Sequence, residues 1–226
     1  MNQKLIAIDL DGTTLNANSE LTQETIDTLH AVQKLGHKVA IVTGRPYRSS
    51  KEIYNQLNLG GPIVNFNGAL CHIPSKPEWD GRYHITLDTD LVLDLVAFNK
   101  TLPVDYLMVE GTELMYSNIT ELPDCPYYPK DQKPLLIHPT TKLKEKPTAV
   151  ALFSDLELQS EIKKKILHRY NNGIEVRTWG GSYPCLEVIT SGIHKAKAVE
   201  HLSRYYDIHQ KDILAFGDED NDMEMI

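Results

Sequence analysis

Ile6-Ala7-Ile8-Asp9-Leu10-Asp11-Gly12-Thr13-Thr14 is the stretch on which the fold reading turns. An apolar run stops at Asp9, and a second carboxylate follows two residues later. Asp disfavours strands, and two like charges this close repel unless a cation lies between them. A strand that buries Leu5, Ile6 and Ile8 has no structural need to end in this way. The stretch therefore points to chemistry at the carboxyl end of a first strand, with partners supplied from elsewhere in the chain.

Working outward, Lys4 to Ile8 reads as a buried strand. Thr22 suits a helix N-cap, with Glu24 in the first turn. Ile26, Leu29, Val32 and Leu35 recur at helical spacing, and Gly36 fits just past the end. Val39 to Val42 is a second strand, ending in Thr43-Gly44-Arg45-Pro46. A helix over roughly Arg48 to Leu59 follows, broken by Gly60-Gly61-Pro62. Ile63-Val64 opens a third strand that runs into Asn65-Phe66-Asn67-Gly68. This alternation predicts a parallel sheet with helices on its faces.

From Pro74 to Asp90 the texture is that of a linker. Beyond it, a helix over Asp90–Lys100 and a hairpin around Glu110-Gly111 are predicted. A proline-rich loop holds Pro123, Pro126, Pro129, Pro134 and Pro139. Next come a strand over Thr148–Phe153, a helix over Leu156–Tyr170 and a strand pair joined through Gly180-Gly181-Ser182. After Gly192 the first texture returns, with a helix over Lys195–Tyr206 and a strand over Ile213–Phe216. The expected domains are a core formed by 1–82 and 191–226, and an α+β insertion over 83–190.

Composition narrows the field. The 226 residues carry a net charge of −8, which argues against nucleic acid as a partner. No apolar run approaches the roughly 20 residues of a membrane span, and the chain enters its first strand with no room for a signal peptide. Cys71, Cys125 and Cys185 form neither a metal pattern nor a disulfide framework, which suits reduced thiols in a cytoplasmic protein. His72, His84, His138 and His194 lack ligand spacing. A monomer is the default expectation.

Four apolar runs end in polar residues: Asp9 and Asp11; Thr43; Asn65 and Asn67; and Asp218 with Asn221 and Asp222. If these runs are neighbouring parallel strands, all four endings lie on one sheet edge, where α/β proteins bind ligands. An oxygen-rich pocket of carboxylates suits a hard divalent cation such as Mg²⁺, which shares its shell with substrate phosphate. The Thr43 hydroxyl, the Gly44 backbone and one Lys or Arg suit the remaining phosphate oxygens. Read singly, the motifs are weaker: Thr43-Gly44-Arg45 is also an ordinary helix entry, Asp218–Asp222 a solvated acidic helix start, and Lys195 a surface lysine.

Together these residues carry a resemblance. Asp9-Leu10-Asp11-Gly12-Thr13 resembles the first signature motif of the haloacid dehalogenase superfamily. Thr43-Gly44-Arg45 resembles the second motif of its Cof-type phosphatases, Lys195 stands at the third-motif lysine, and Gly217-Asp218-Glu219-Asp220-Asn221-Asp222 resembles the fourth. The resemblance implies a Rossmann-like parallel-sheet core with an inserted α+β cap, and a phosphohydrolase of small phosphorylated metabolites. It implies Asp9 as nucleophile and Asp11 as acid and base. Mg²⁺ would be held by Asp9, the Asp11 backbone carbonyl and Asp218, with Asn221 or Asp222 in support. The Leu10 backbone, Thr43, Gly44, Lys195 and Asn221 would hold phosphate, and Arg45 would either support it or pair with a nearby acid.

Two features depart from the pattern. Ala196 follows Lys195 where the family has Gly, which makes Lys197 an alternative. The chain also stops at Ile226, soon after the fourth motif, and so a core shortened at its carboxyl end is expected. Other functions consistent with the motifs are a phosphomutase or phosphotransferase, a receiver-like phosphate-binding protein, and a non-catalytic remnant.

Overall fold

A computed structural model describes residues 2–123, 132–170, 173–179 and 183–226. Cys125, Pro126, Pro129 and the Gly180-Gly181-Ser182 turn lie outside the described residues. In chain order the main elements are β1 (Leu5–Ile8), α1 (Gln23–Lys34), β2 (Lys38–Val42), α2 (Tyr47–Leu57), β3 (Ile63–Asn65), β4 (Leu70–His72), β5 (Tyr83–His84), α3 (Thr89–Phe98), β6 (Tyr106–Glu110), β7 (Met115–Ser117), β8 (Leu135–Leu136), β9 (Ala149–Phe153), α4 (Gln159–Arg169), β10 (Ile174–Trp179), β11 (Cys185–Thr190), α5 (Lys195–Tyr205) and β12 (Ile213–Phe216). They divide into two units: Met1–His84 with Ile193–Ile226, and Ile85–Gly192. No described helix is long and apolar enough to cross a membrane.

The first unit is built on a sheet of order β12-β1-β2-β3-β4-β5. Its first four strands are parallel, with Leu5 opposite both Ile213 and Lys38, and Ile41 opposite Ile63. Their carboxyl ends therefore share one edge. β4 and β5 extend the sheet antiparallel, so part of the stretch read as a linker is sheet. Two- and three-residue strands leave too little periodicity to be read from sequence.

Local chemistry explains the helices. The Thr22 hydroxyl accepts from Thr25 N at the start of α1, and Gly36 beyond it adopts φ 90°. α2 stops two residues short of the expected Leu59 because Asn58 takes a left-handed C-cap. Apolar residues pack on both sheet faces. Leu5, Ala7, Ala40, Val42 and Val64 pack with Ala198, Val199 and Leu202 of α5. Ile6, Val39, Ile41 and Ile63 pack with Leu29, Tyr54 and Leu57 from α1 and α2.

The second unit has a sheet of order β10-β11-β9-β6-β7-β8. All its pairings are antiparallel except β7 with β8. α3 and α4 cover one face through Val92, Leu95, Val96, Ile162 and Ile166. On the other face Tyr106 stacks on Phe153 with ring centroids 4.3 Å apart, and Tyr183 and Cys185 pack against this cluster. Trp179 Nε1 donates to Glu187.

Candidate active site

The parallel register gathers the polar strand endings at one edge of the first unit. Asp9 follows β1, Thr43 follows β2, Asn65 closes β3 and Asp218 follows β12. Asp9 is only 3% exposed and Asp222 is fully buried. Charges so desolvated need a counter-ion, and Lys195 supplies it. Its Nζ donates to Asp9 Oδ1 and to Asp222 Oδ1, both at 2.7 Å. Lys195 is the first residue of α5 and is itself buried. A surface lysine is thereby excluded. Burial pushes the Asp9 carboxyl up to about 6, against the downward pull of the Lys195 ammonium.

Asp11 is placed differently. The chain leaves β1 through a wide turn closed by Leu15 N donating to Leu10 O. That turn directs the Asp11 carboxylate to Arg45, whose Nε donates to Oδ2 at 2.8 Å and whose Nη2 donates to Oδ1. The pair is bidentate and half-exposed. Gly12 allows the turn, with φ 70°, and a Cβ there would run into the Asp218 carboxylate. Thr13 Oγ1 donates to Asp218 Oδ1 at 2.8 Å.

Carboxylate oxygens of Asp9, Asp218 and Asp222 lie within 4.8 Å of one another. Three carboxylates face one ammonium, and the negative excess suits a hard divalent cation. Asp222 is already committed: Oδ1 accepts from Lys195, and Oδ2 accepts from the Asp218 and Glu219 backbone N–H groups. Asp9 and Asp218 are thus the less encumbered carboxylates. The Asp11 side chain is turned away on Arg45, so that residue can reach the cluster only through its backbone.

Thr43 is fully buried. Its Oγ1 accepts from Arg45 N at 3.1 Å, leaving its own O–H to donate. Leu10 buries its side chain in the core, so only its backbone can serve the site. Asn221 Nδ2 donates to Asn67 Oδ1 at 2.9 Å. Lys197 begins no such contact with the acidic cluster; Lys195 does. Two contacts escaped the sequence reading: the commitment of Asp222 to Lys195 and two backbone amides, and the Asn67–Asn221 pair. The Asp-x-x-Asn-Asp spacing carries a signal for the first, while the second joins residues 154 apart and leaves no trace in the linear sequence.

Comparison with known proteins agrees with this architecture. The chain belongs to the haloacid dehalogenase-like hydrolases, whose family profile matches residues 6–226. Within that family it is a Cof-type phosphatase, a hydrolase of phosphoric monoesters. A 5-amino-6-(5-phospho-D-ribitylamino)uracil phosphatase of Bacillus subtilis is 35% identical over 223 residues, covering 98% of this chain and 82% of the relative. An HMP-PP phosphatase of Yersinia pestis is 27% identical over 246 residues, covering 99% and 80%. A haloacid dehalogenase-like hydrolase structure from Bacteroides thetaiotaomicron superposes with a TM-score of 0.80 at 20% identity, covering 100% of this chain and 85% of that one.

Proposed function

We propose that the chain is a Mg²⁺-dependent phosphohydrolase of small phosphorylated metabolites that works through an aspartyl-phosphate on Asp9. The observation that carries this reading is the Lys195 ammonium seated between Asp9 and Asp222. A carboxylate can attack an anionic phosphate only where cations screen both, and this site is built around a cation with carboxylates to spare for another.

Asp9, Asp218 and the Asp11 backbone carbonyl would hold the Mg²⁺, which when bound would neutralise charge and orient the phosphoryl group. Asp9 attacks phosphorus in line, and the Asp9 O–P bond forms as the bond to the leaving oxygen breaks. Asp11 gives the leaving oxygen its proton, then takes one from the water that hydrolyses the intermediate to inorganic phosphate. The Leu10 and Gly44 backbones, the Thr43 hydroxyl, Lys195 and Asn221 bind the phosphate oxygens. The relatives' names concern a phosphorylated ribityl compound and HMP-PP, which supports a small phosphorylated metabolite as substrate class.

The test is hydrolysis of an aryl phosphate with and without Mg²⁺, scored as released inorganic phosphate. Turnover should need the metal and vanish in Asp9→Asn. Phosphate release persisting in that variant rejects Asp9 as the nucleophile. Transfer of the phosphoryl group to another hydroxyl without release would favour a phosphotransferase.

A further inference from the structure

The turn between β3 and β4 has three consecutive residues in the left-handed region: Phe66 at φ 52°, Asn67 at 55° and Gly68 at 109°. Glycine and asparagine accept this readily, whereas phenylalanine does not. Such a conformation persists where its surroundings over-determine it, and here they are the loops that carry the candidate site. The Asn67 N–H donates to Thr43 O at 3.1 Å, and the Phe66 N–H to Arg45 O at 3.3 Å. The Asn67 side chain accepts from Asn221 Nδ2. Gly68 lies against the backbone just before Lys195, where a Cβ would come within 2.7 Å of His194 O.

Asn67 is 1% exposed, so its amide is desolvated, and its Oδ1 accepts from Asn221 Nδ2. The Asn221 Oδ1 is buried and has no hydrogen-bond partner among the described residues. A buried, unpaired amide oxygen is costly, and the same amide is tied at its nitrogen to Asn67 Oδ1. Gly44 keeps the approach open, since a Cβ there would lie 3.1 Å from Asn67 Oδ1.

We propose that Asn67 is a positioning residue: it fixes the Asn221 amide against the loop Thr43–Arg45, so that phosphate meets both as one preformed surface. The proposal rests on the phosphohydrolase reading for its kinetic consequences. Asn65 supports the same loop from the strand side, donating from Nδ2 to Arg45 O at 3.0 Å and to Ser50 Oγ at 2.9 Å. The turn therefore binds one loop through its backbone and another through a side chain.

The experiment is a double-mutant cycle of Asn67→Gly and Asn221→Ala. Glycine accepts the left-handed backbone and deletes the side chain with its amide. KM, kcat, the inhibition constant of inorganic phosphate and the melting temperature are measured for each variant. Asn67→Gly should raise KM and the phosphate constant by about tenfold or more, with kcat less affected, and should add little in the Asn221→Ala background. Asn67→Ser, which keeps a short hydroxyl, should fall between. Independent losses that multiply, or a kcat loss that tracks the melting temperature alone, overturn the proposal. Amide hydrogen exchange over residues 219–222 reads the link without turnover, and it should speed up in Asn67→Gly. Unchanged exchange there overturns the proposal, whereas a wild-type chain that hydrolyses nothing overturns the functional reading instead.

Discussion

Lys195 Nζ stands 2.7 Å from Asp9 Oδ1 across 186 residues of chain. It stands equally close to Asp222 Oδ1. One ammonium thus bridges two buried carboxylates and offsets half of their charge.

Replacing that cation should damage stability and activity together. Lys195→Met is expected to cost about 3–5 kcal/mol, the usual penalty for orphaning a buried charge. Adding Asp9→Asn removes one orphaned charge. The double variant should therefore melt higher than Lys195→Met alone, while both stay inactive. Calorimetry of the wild type and the two variants checks the order.

Asp11 is half-exposed and paired with Arg45, so Asp11→Asn should change stability by under about 1 kcal/mol. Its catalytic effect should depend on the leaving group. Under the proposed role, an alkyl phosphate needs the proton and should lose about 10²–10⁴-fold in turnover. An aryl phosphate leaves without help and should lose much less. Equal losses on both substrates would remove Asp11 as the acid.

Gly12 has a positive φ and no room for a side chain beside Asp218. Gly12→Ala should push the Asp218 carboxylate aside, raising the Mg²⁺ concentration for half-maximal activity by about 10–100-fold. A magnesium titration of initial rates measures this. An unchanged midpoint would argue that Asp218 does not hold the metal.

His72 offers a pH test. It is buried beside Tyr47, with Nε2 bonded to Asn65 Oδ1 at 3.1 Å. The Asn65 amide nitrogen is spent on the Arg45 carbonyl, so its oxygen faces the imidazole and Nε2 is the donor. Burial, with the nearby Arg82 and His84 charges, lowers His72 to about 4 from 6.5. The unfolded chain therefore binds the proton first as pH falls. The stability from the neutral imidazole is full above 6.5 and lost as pH drops towards 4, about 3 kcal/mol across the window. Denaturant midpoints between pH 7 and 4 should fall for the wild type and fall less for His72→Gln.

The parts of the fold legible in the sequence were those with a strong local signal. Thr22 and Gly36 bracket α1 as their chemistry requires, and the β-branched runs before Asp9 and Thr43 are buried strands. The antiparallel extension through β4 and β5 was not legible, because its pairing partners lie across a turn-rich stretch and only two or three residues make each strand. The site divides similarly. Its carboxylates announce themselves by falling where a strand should continue. The Arg45 clamp on Asp11, the Asn67 amide on Asn221 and the Asn65–His72 pair depend on tertiary placement, and residue type alone leaves each open.

The pairing of β1 with β12 has a consequence in time. Leu5 lies opposite Ile213, so this edge of the sheet cannot close until synthesis has passed Ile213. At about 5–20 residues per second, the first strand waits about 10–40 s on the ribosome for its partner. The second unit draws its strands from within Ile85–Gly192 and is free to fold during that wait. Closure of the first unit is then a late, long-range step, the kind that slows folding most. A nascent chain stalled before Ile213 should hold a folded second unit beside a β1 that still lacks one neighbour.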